Sequence, residues 1–138
     1  MKITIKNLQK KLPIHPLKIK KLVFKILKGE RADDSGWVNI CFVDNRFIKK
    51  FNAKFHKTNN TTDVLAFNLS DKNKKKVLLA DIMISTDTAI EQAKSFNTCA
   101  DYELCLYVVH GILHILGYND RSEKQIKLMR KKEKQYVD

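Results

Sequence analysis

Nowhere in these 138 residues do eighteen apolar residues run together, and the opening stretch MKITIKNLQKKLPIHP holds no continuous apolar segment of the kind an export signal needs. A helix needs about 20 apolar residues to cross a bilayer, so the chain is expected in the cytoplasm, with no membrane partner. Cysteine is sparse as well. Cys41, Cys99 and Cys105 are odd in number and include no C-x-x-C pair. That argues against a disulfide framework or a zinc knuckle and fits reduced thiols without a catalytic part. Arginine is scarce too: Arg31, Arg46, Arg121 and Arg130 are the only four among 27 basic residues, so the positive excess is lysine.

That excess gives a formal charge of +12 at pH 7, a field that draws polyanions, of which RNA is the most abundant in a cytosol. Charge speaks to association and not to chemistry, and a lysine surplus reflects codon bias as readily as a binding surface. The balance of 43% hydrophobic to 30% charged residues is that of a globular chain, and this length suits one domain over residues 1–138 with its own hydrophobic core.

Ile3 and Ile5 alternate with polar neighbours as a first strand. After Pro16, the apolar residues Leu17, Ile19, Leu22, Val23, Ile26 and Leu27 repeat at helical spacing, and Gly29 stands where a helix C-cap is expected. Trp37 to Val43 reads as a strand. Asp44 then caps a helix whose apolar face is Phe47, Ile48, Phe51 and Phe55. Val64–Leu69 and Val77–Ile84, joined by the lysine-rich turn 71–76, predict a hairpin. Ser85, Thr86 or Asp87 caps a helix running toward Phe96. Thr98 and Asp101 open a long helix over 99–116 that Gly117 stops, and Ser122 with Gln125 forms a capping box for a basic last helix with Ile126, Leu128 and Met129 on it. The expected architecture is α/β and layered, a mixed sheet of about four strands packed with about five helices.

The long helix carries the chemistry, in the segment HGILHILGYND. His110 and His114 are four residues apart, so both imidazoles project from one face, a turn apart, and can reach one ion. Gly117 lets the chain turn back and bring an oxygen of Asp120 to the same point. Three ligands leave a position open for water, as in catalytic rather than structural zinc sites. The spacing is also that of the metzincin protease motif H-E-x-x-H-x-x-G-x-x-H, but Gly111 stands where that motif needs its general-base Glu. A protease is therefore disfavoured.

HGILHILGYND resembles the signature H-G-x-L-H-L-x-G-Y-D-H of the bacterial YbeY family, and TTDVLAF at Thr61 to Phe67 resembles that family's P-T-D-V-L-S-F. Ala80–Ile82 matches G-D-I, Phe51 and Asn52 match L-N, and Met129 and Glu133 agree in the last helix, so the resemblance runs from Val38 to Glu133. It implies a metal-dependent, single-strand-specific endoribonuclease of ribosomal RNA maturation and ribosome quality control. Its partners would be single-stranded RNA, ribosomal RNA or the small ribosomal subunit, with no DNA expected. One zinc ion per chain is implied, iron or nickel remaining open.

Two of the implied ligands are His110 and His114, the latter also catalytic. The third falls on Asp120 by spacing, where the family has His; an alternative alignment equates Asp120 with the family's preceding Asp and leaves no third ligand. The family's catalytic Arg aligns with His56, which cannot offer a bidentate fork to phosphate, so the neighbouring Lys57 would supply the charge. Thr62, Asp63 and Ser85 are implied around the substrate groove. The rival reading is a non-catalytic RNA- or ribosome-binding protein whose metal is structural.

Overall fold

A computed structural model describes residues 1–32, 35–55 (side chains through Asn52), 63–70 and 77–137. The expected positions of His56, Lys57 and Thr62 and the turn 71–76 lie outside the described residues. The elements are β1 (Lys2–Asn7), α1 (Pro16–Gly29), β2 (Gly36–Val43), α2 (Asn45–Phe55), β3 (Val64–Asn68), β4 (Leu78–Ser85), α3 (Thr86–Phe96), α4 (Ala100–Ile115) and α5 (Glu123–Val137). This is the expected α/β arrangement of four strands and five helices. Among the described residues, no helix is long and apolar enough to cross a membrane.

The sheet order is β1-β2-β4-β3. β1 pairs parallel to β2 and β2 parallel to β4, while β3 returns antiparallel on β4 as the edge strand. Alternation decides which face is covered. Val38, Ile40 and Phe42 of β2 and Ala80, Ile82 and Ile84 of β4 are buried in one cluster with Val23 and Ile26 of α1, Ile112 and Leu113 of α4, and Met129 and Tyr136 of α5. The residues between them point the other way, where Asn39 donates to Asp81 across the strands at 3.1 Å. Fully burying an Ile, Leu or Phe contributes about 1.5–3 kcal/mol, whereas exposed ion pairs such as Lys18–Asp101 give at most about 1. The seam between α4 and the sheet therefore holds the molecule together.

Gly111 sits in that seam. A Cβ placed on it would lie 3.1 Å from Ile82 Cγ2 and 3.2 Å from Val64 Cγ1, so the missing side chain is what lets α4 approach the strands. Gly29 has a different role from the one expected. It is the last residue of α1, the cap is Glu30, and the left-handed residue is Arg31 at φ 52°. A Cβ on Gly29 would fall 2.7 Å from Tyr136 Cε1, so packing of α5, and not cap geometry, excludes a side chain there.

The expected caps of α2, α3 and α5 are present. Asp44 Oδ1 accepts from Phe47 N at 2.8 Å, Ser85 Oγ accepts from Thr88 N at 3.1 Å, and Ser122 with Gln125 closes a reciprocal box. α4 starts differently: its N-cap is Cys99 with no side-chain bond, while the Thr98 hydroxyl donates to Glu103 at 3.0 Å. The apolar faces also shift. Phe47 is exposed while Ile48 is buried, and α5 leaves Ile126 and Leu128 exposed while burying Met129, Glu133 and Tyr136.

Candidate metal centre

α4 ends as the helix C-cap chemistry of glycine dictates. Gly117 takes φ +104°, its N–H reaches the His114 carbonyl at 3.0 Å, and the Tyr118 N–H reaches the Leu113 carbonyl at 3.0 Å, a Schellman motif. The reversal carries Asp120 back over the last turn of α4. Its Oδ2 stands 3.5 Å from His110 Nε2 and 3.5 Å from His114 Nε2, and the two nitrogens are 3.0 Å apart. Among the described residues, His110, His114 and Asp120 are a group whose side chains could hold a metal ion.

The donor set fits a divalent ion. A point equidistant from the three atoms lies ~2 Å from each, the Zn–N and Zn–O range. Three lone-pair-bearing atoms this close repel unless a proton or cation sits between them, and the negative C-terminal end of α4 favours a cation there. The carboxylate stands as the third possible donor, where the family motif has a histidine.

Glu133 of α5 sets the orientation of His110. Its Oε2 lies 3.1 Å from His110 Nδ1, so with Nδ1 as donor the Nε2 lone pair is left facing the centre, the carboxylate–histidine pairing common behind metal ligands. Burial of the His110 ring works to lower its pKa. The bond to Glu133 and the charges of Glu133, Asp63 and Asp120 outweigh that and hold it above the ordinary histidine value. In the sequence, Glu133 stands out only through the family resemblance and as a carboxylate at i+4 from Met129 amid the lysines of the last helix.

The triad opens into a cleft of about 420 Å³ lined by Asp63 and Val64 to Ala66 of the edge strand β3 on one side and by His110, His114 and Asp120 on the other. Asp63 thus lines the same cleft as the histidines. Ser85 does not line this cleft. It is fully buried, and its hydroxyl donates to Asn45 while accepting from Thr88.

A second cluster braces the return segment. Glu30, at the end of α1, accepts from the hydroxyls of Tyr118 and Tyr136 and from Lys132 Nζ at 3.1 Å. Burial pushes the Glu30 pKa up, but the three donors outweigh it and the folded value lies below the ordinary 4.5. Hydrogen bonds to a charged group contribute about 1.5–3 kcal/mol, so Glu30→Gln is expected to lower Tm by roughly 5–10 °C at about pH 7. The carboxylate's contribution is full above its unfolded pKa and is lost as pH falls through the lower folded one. Thermal melts should therefore show the wild-type advantage shrinking as pH falls below 4.5; a pH-independent difference would refute this account.

The family model for Endoribonuclease YbeY matches residues 4–138, extending the resemblance seen over Val38 to Glu133. The endoribonuclease YbeY of Caldicellulosiruptor bescii is 34% identical over 99% of this chain and 96% of its own length. That of Clostridioides difficile is 32% identical over 88% of this chain and 82% of its own. A solution structure of a Thermotoga maritima protein superposes with a TM-score of 0.68 at 31% identity, over 98% of this chain and 86% of that one. A match that runs from Thr4 to the last residue, carried on a shared fold, leaves one assignment: the chain belongs to the endoribonuclease YbeY family.

Proposed function

We propose that this protein is a metal-dependent endoribonuclease of single-stranded RNA, acting on ribosomal RNA in its maturation and in ribosome quality control, with one zinc ion per chain held by His110, His114 and Asp120. The observation that carries this reading is the convergence of three donors at the floor of an open cleft, with 3.0–3.5 Å between them. A His, His, Asp set carries one negative charge more than three histidines and also suits ferrous iron. Iron and nickel are therefore the alternatives to zinc.

A bound divalent ion supplies a water of lowered pKa and a positive centre for charge developing on the scissile phosphate. His110 and His114 present their Nε2 lone pairs, Glu133 keeps the His110 ring turned that way, and Asp120 adds the third donor. Hydrolysis there would join a water oxygen to phosphorus and break the bond from phosphorus to the leaving ribose oxygen, the proton lost by the water balancing the one that this oxygen takes up. Exposed lysines at 124, 127, 131 and 134 run along α5, the helix that also carries Glu133, and attract the polyanion. The roles of His56, Lys57 and Thr62 in contacting phosphate remain part of the proposal on the family resemblance alone.

Treatment with a chelator followed by zinc addition tests the reading. Chelation is expected to abolish cleavage of single-stranded RNA, zinc to restore it, and elemental analysis to find about one ion per chain. RNA binding and the circular-dichroism melt should change little, because the buried cluster under the sheet does not include the triad. If metal removal instead abolished RNA binding and folding together, a structural metal in a binding protein would be the better description.

A further inference from the structure

Adjoining the first cleft, and sharing Asp63, His110 and Asp120 with it, lies a second of about 370 Å³ whose wall adds Gln92, Phe96, Tyr107, Arg130 and Glu133. Two polar atoms of residues in that wall have no hydrogen bond among the described residues. They are the Tyr107 hydroxyl and Glu133 Oε1, in residues only 5% and 3% exposed. Arg130 Nη1 approaches Oε1 only to 3.5 Å, beyond ordinary hydrogen-bond length. Orphaned buried polar groups are rare and destabilising, and two in one wall suggest a ligand that satisfies them. Burial, with Asp63 and Glu103 adding to it, raises the Tyr107 pKa, so the hydroxyl keeps its proton to donate. At the rim stands the Phe96 ring, 66% exposed at the end of α3, which the interior of the fold does not use.

We propose that this cleft is a nucleobase subsite, in which the base of a nucleotide neighbouring the scissile phosphate stacks on Phe96 and presents a donor to Glu133 Oε1 and an acceptor to the Tyr107 hydroxyl. The inference rests on the endoribonuclease reading and adds what holds the strand beside the metal. It matches the way single-stranded RNA is held in general, by stacking on an exposed aromatic and by hydrogen bonds to base edges. Every RNA base carries an adjacent donor and acceptor on its Watson–Crick edge, so the subsite requires a base without selecting one.

The test uses the metal-loaded protein and a short single-stranded oligoribonucleotide made uncleavable by phosphonate linkages, in an intact form and in a set with each base removed in turn. Fluorescence anisotropy is expected to show wild type losing at least about five-fold in affinity at one abasic position. Phe96→Ala and Tyr107→Phe should each shrink that penalty to less than about two-fold, with the Tm of Tyr107→Phe unchanged or higher because an unpaired hydroxyl has gone. Equal binding of all abasic forms by wild type would overturn the subsite, as would an undiminished penalty in both variants. A lowered Tm of Tyr107→Phe with an undiminished penalty would assign the hydroxyl to the fold. Because the probe is not cut, failure of the nuclease reading leaves this result intact, and RNA cleavage without a base penalty would sink the subsite alone.

Discussion

His114→Ala is expected to lose RNA cleavage by at least about a thousandfold, roughly 4 kcal/mol or more of transition-state stabilisation. The substitution takes one of three corners from the triad and leaves Asp120 Oδ2 and His110 Nε2 3.5 Å apart as the remaining pair, so elemental analysis should find less than one ion per chain. The fold should tolerate the change. The His114 side chain is 27% exposed, on the cleft side of the last turn of α4, while Ile112 and Leu113 beside it are fully buried and keep the helix in place. Metal-free wild type and variant should therefore melt within a few degrees of each other. A variant that cuts RNA as fast as wild type would point to a contaminating nuclease and remove the assignment of the cleft as an active site.

The parts of this site that local periodicity governs were legible before the fold was seen. His110 and His114 share a face because of their spacing of four, Gly117 ends the helix because it takes a positive φ, and Asp120 returns because that turn is tight. β-Branched and aromatic residues likewise mark Trp37 to Val43 as a strand, and capping chemistry marks Asp44, Ser85 and Ser122. What escaped depends on partners distant in the chain. Glu133 lies 23 residues from the histidine it orients, and Glu30 lies 88 residues from Tyr118. On α5 the buried stripe Met129, Glu133 and Tyr136 has helical spacing, but a carboxylate in its middle disguises it, and the more apolar Ile126 and Leu128 draw the eye to the wrong side. The cap assigned to Gly29 failed for a similar reason: a glycine required by the Tyr136 ring looks, in one dimension, the same as one required by a turn.

Gly111→Glu, which would install the residue that a metzincin needs, is expected to unfold the protein rather than confer proteolysis. At this helix position even a Cβ meets Ile82 Cγ2 at 3.1 Å and Val64 Cγ1 at 3.2 Å, close enough that these side chains must give by a few tenths of an ångström. Glutamate would drive a further methylene and a carboxylate into the seam between α4 and the sheet, where Ile82 and Ile112 are 2% and 0% exposed. Overpacking alone costs about 1–3 kcal/mol, and a buried carboxylate without a partner adds several kcal/mol unless it stays protonated. Against a stability of about 5–15 kcal/mol for a domain, a loss of at least about 4 kcal/mol should lower Tm by more than about 12 °C or leave the protein insoluble. Gly111→Ala separates the two costs, since it adds the Cβ contacts without the charge and gains about 1 kcal/mol in helix propensity; it should fold with a Tm between the other two. A Gly111→Glu protein that melts within a few degrees of wild type would show that α4 can lift from the strands. The physical argument against a protease at this site would then fail.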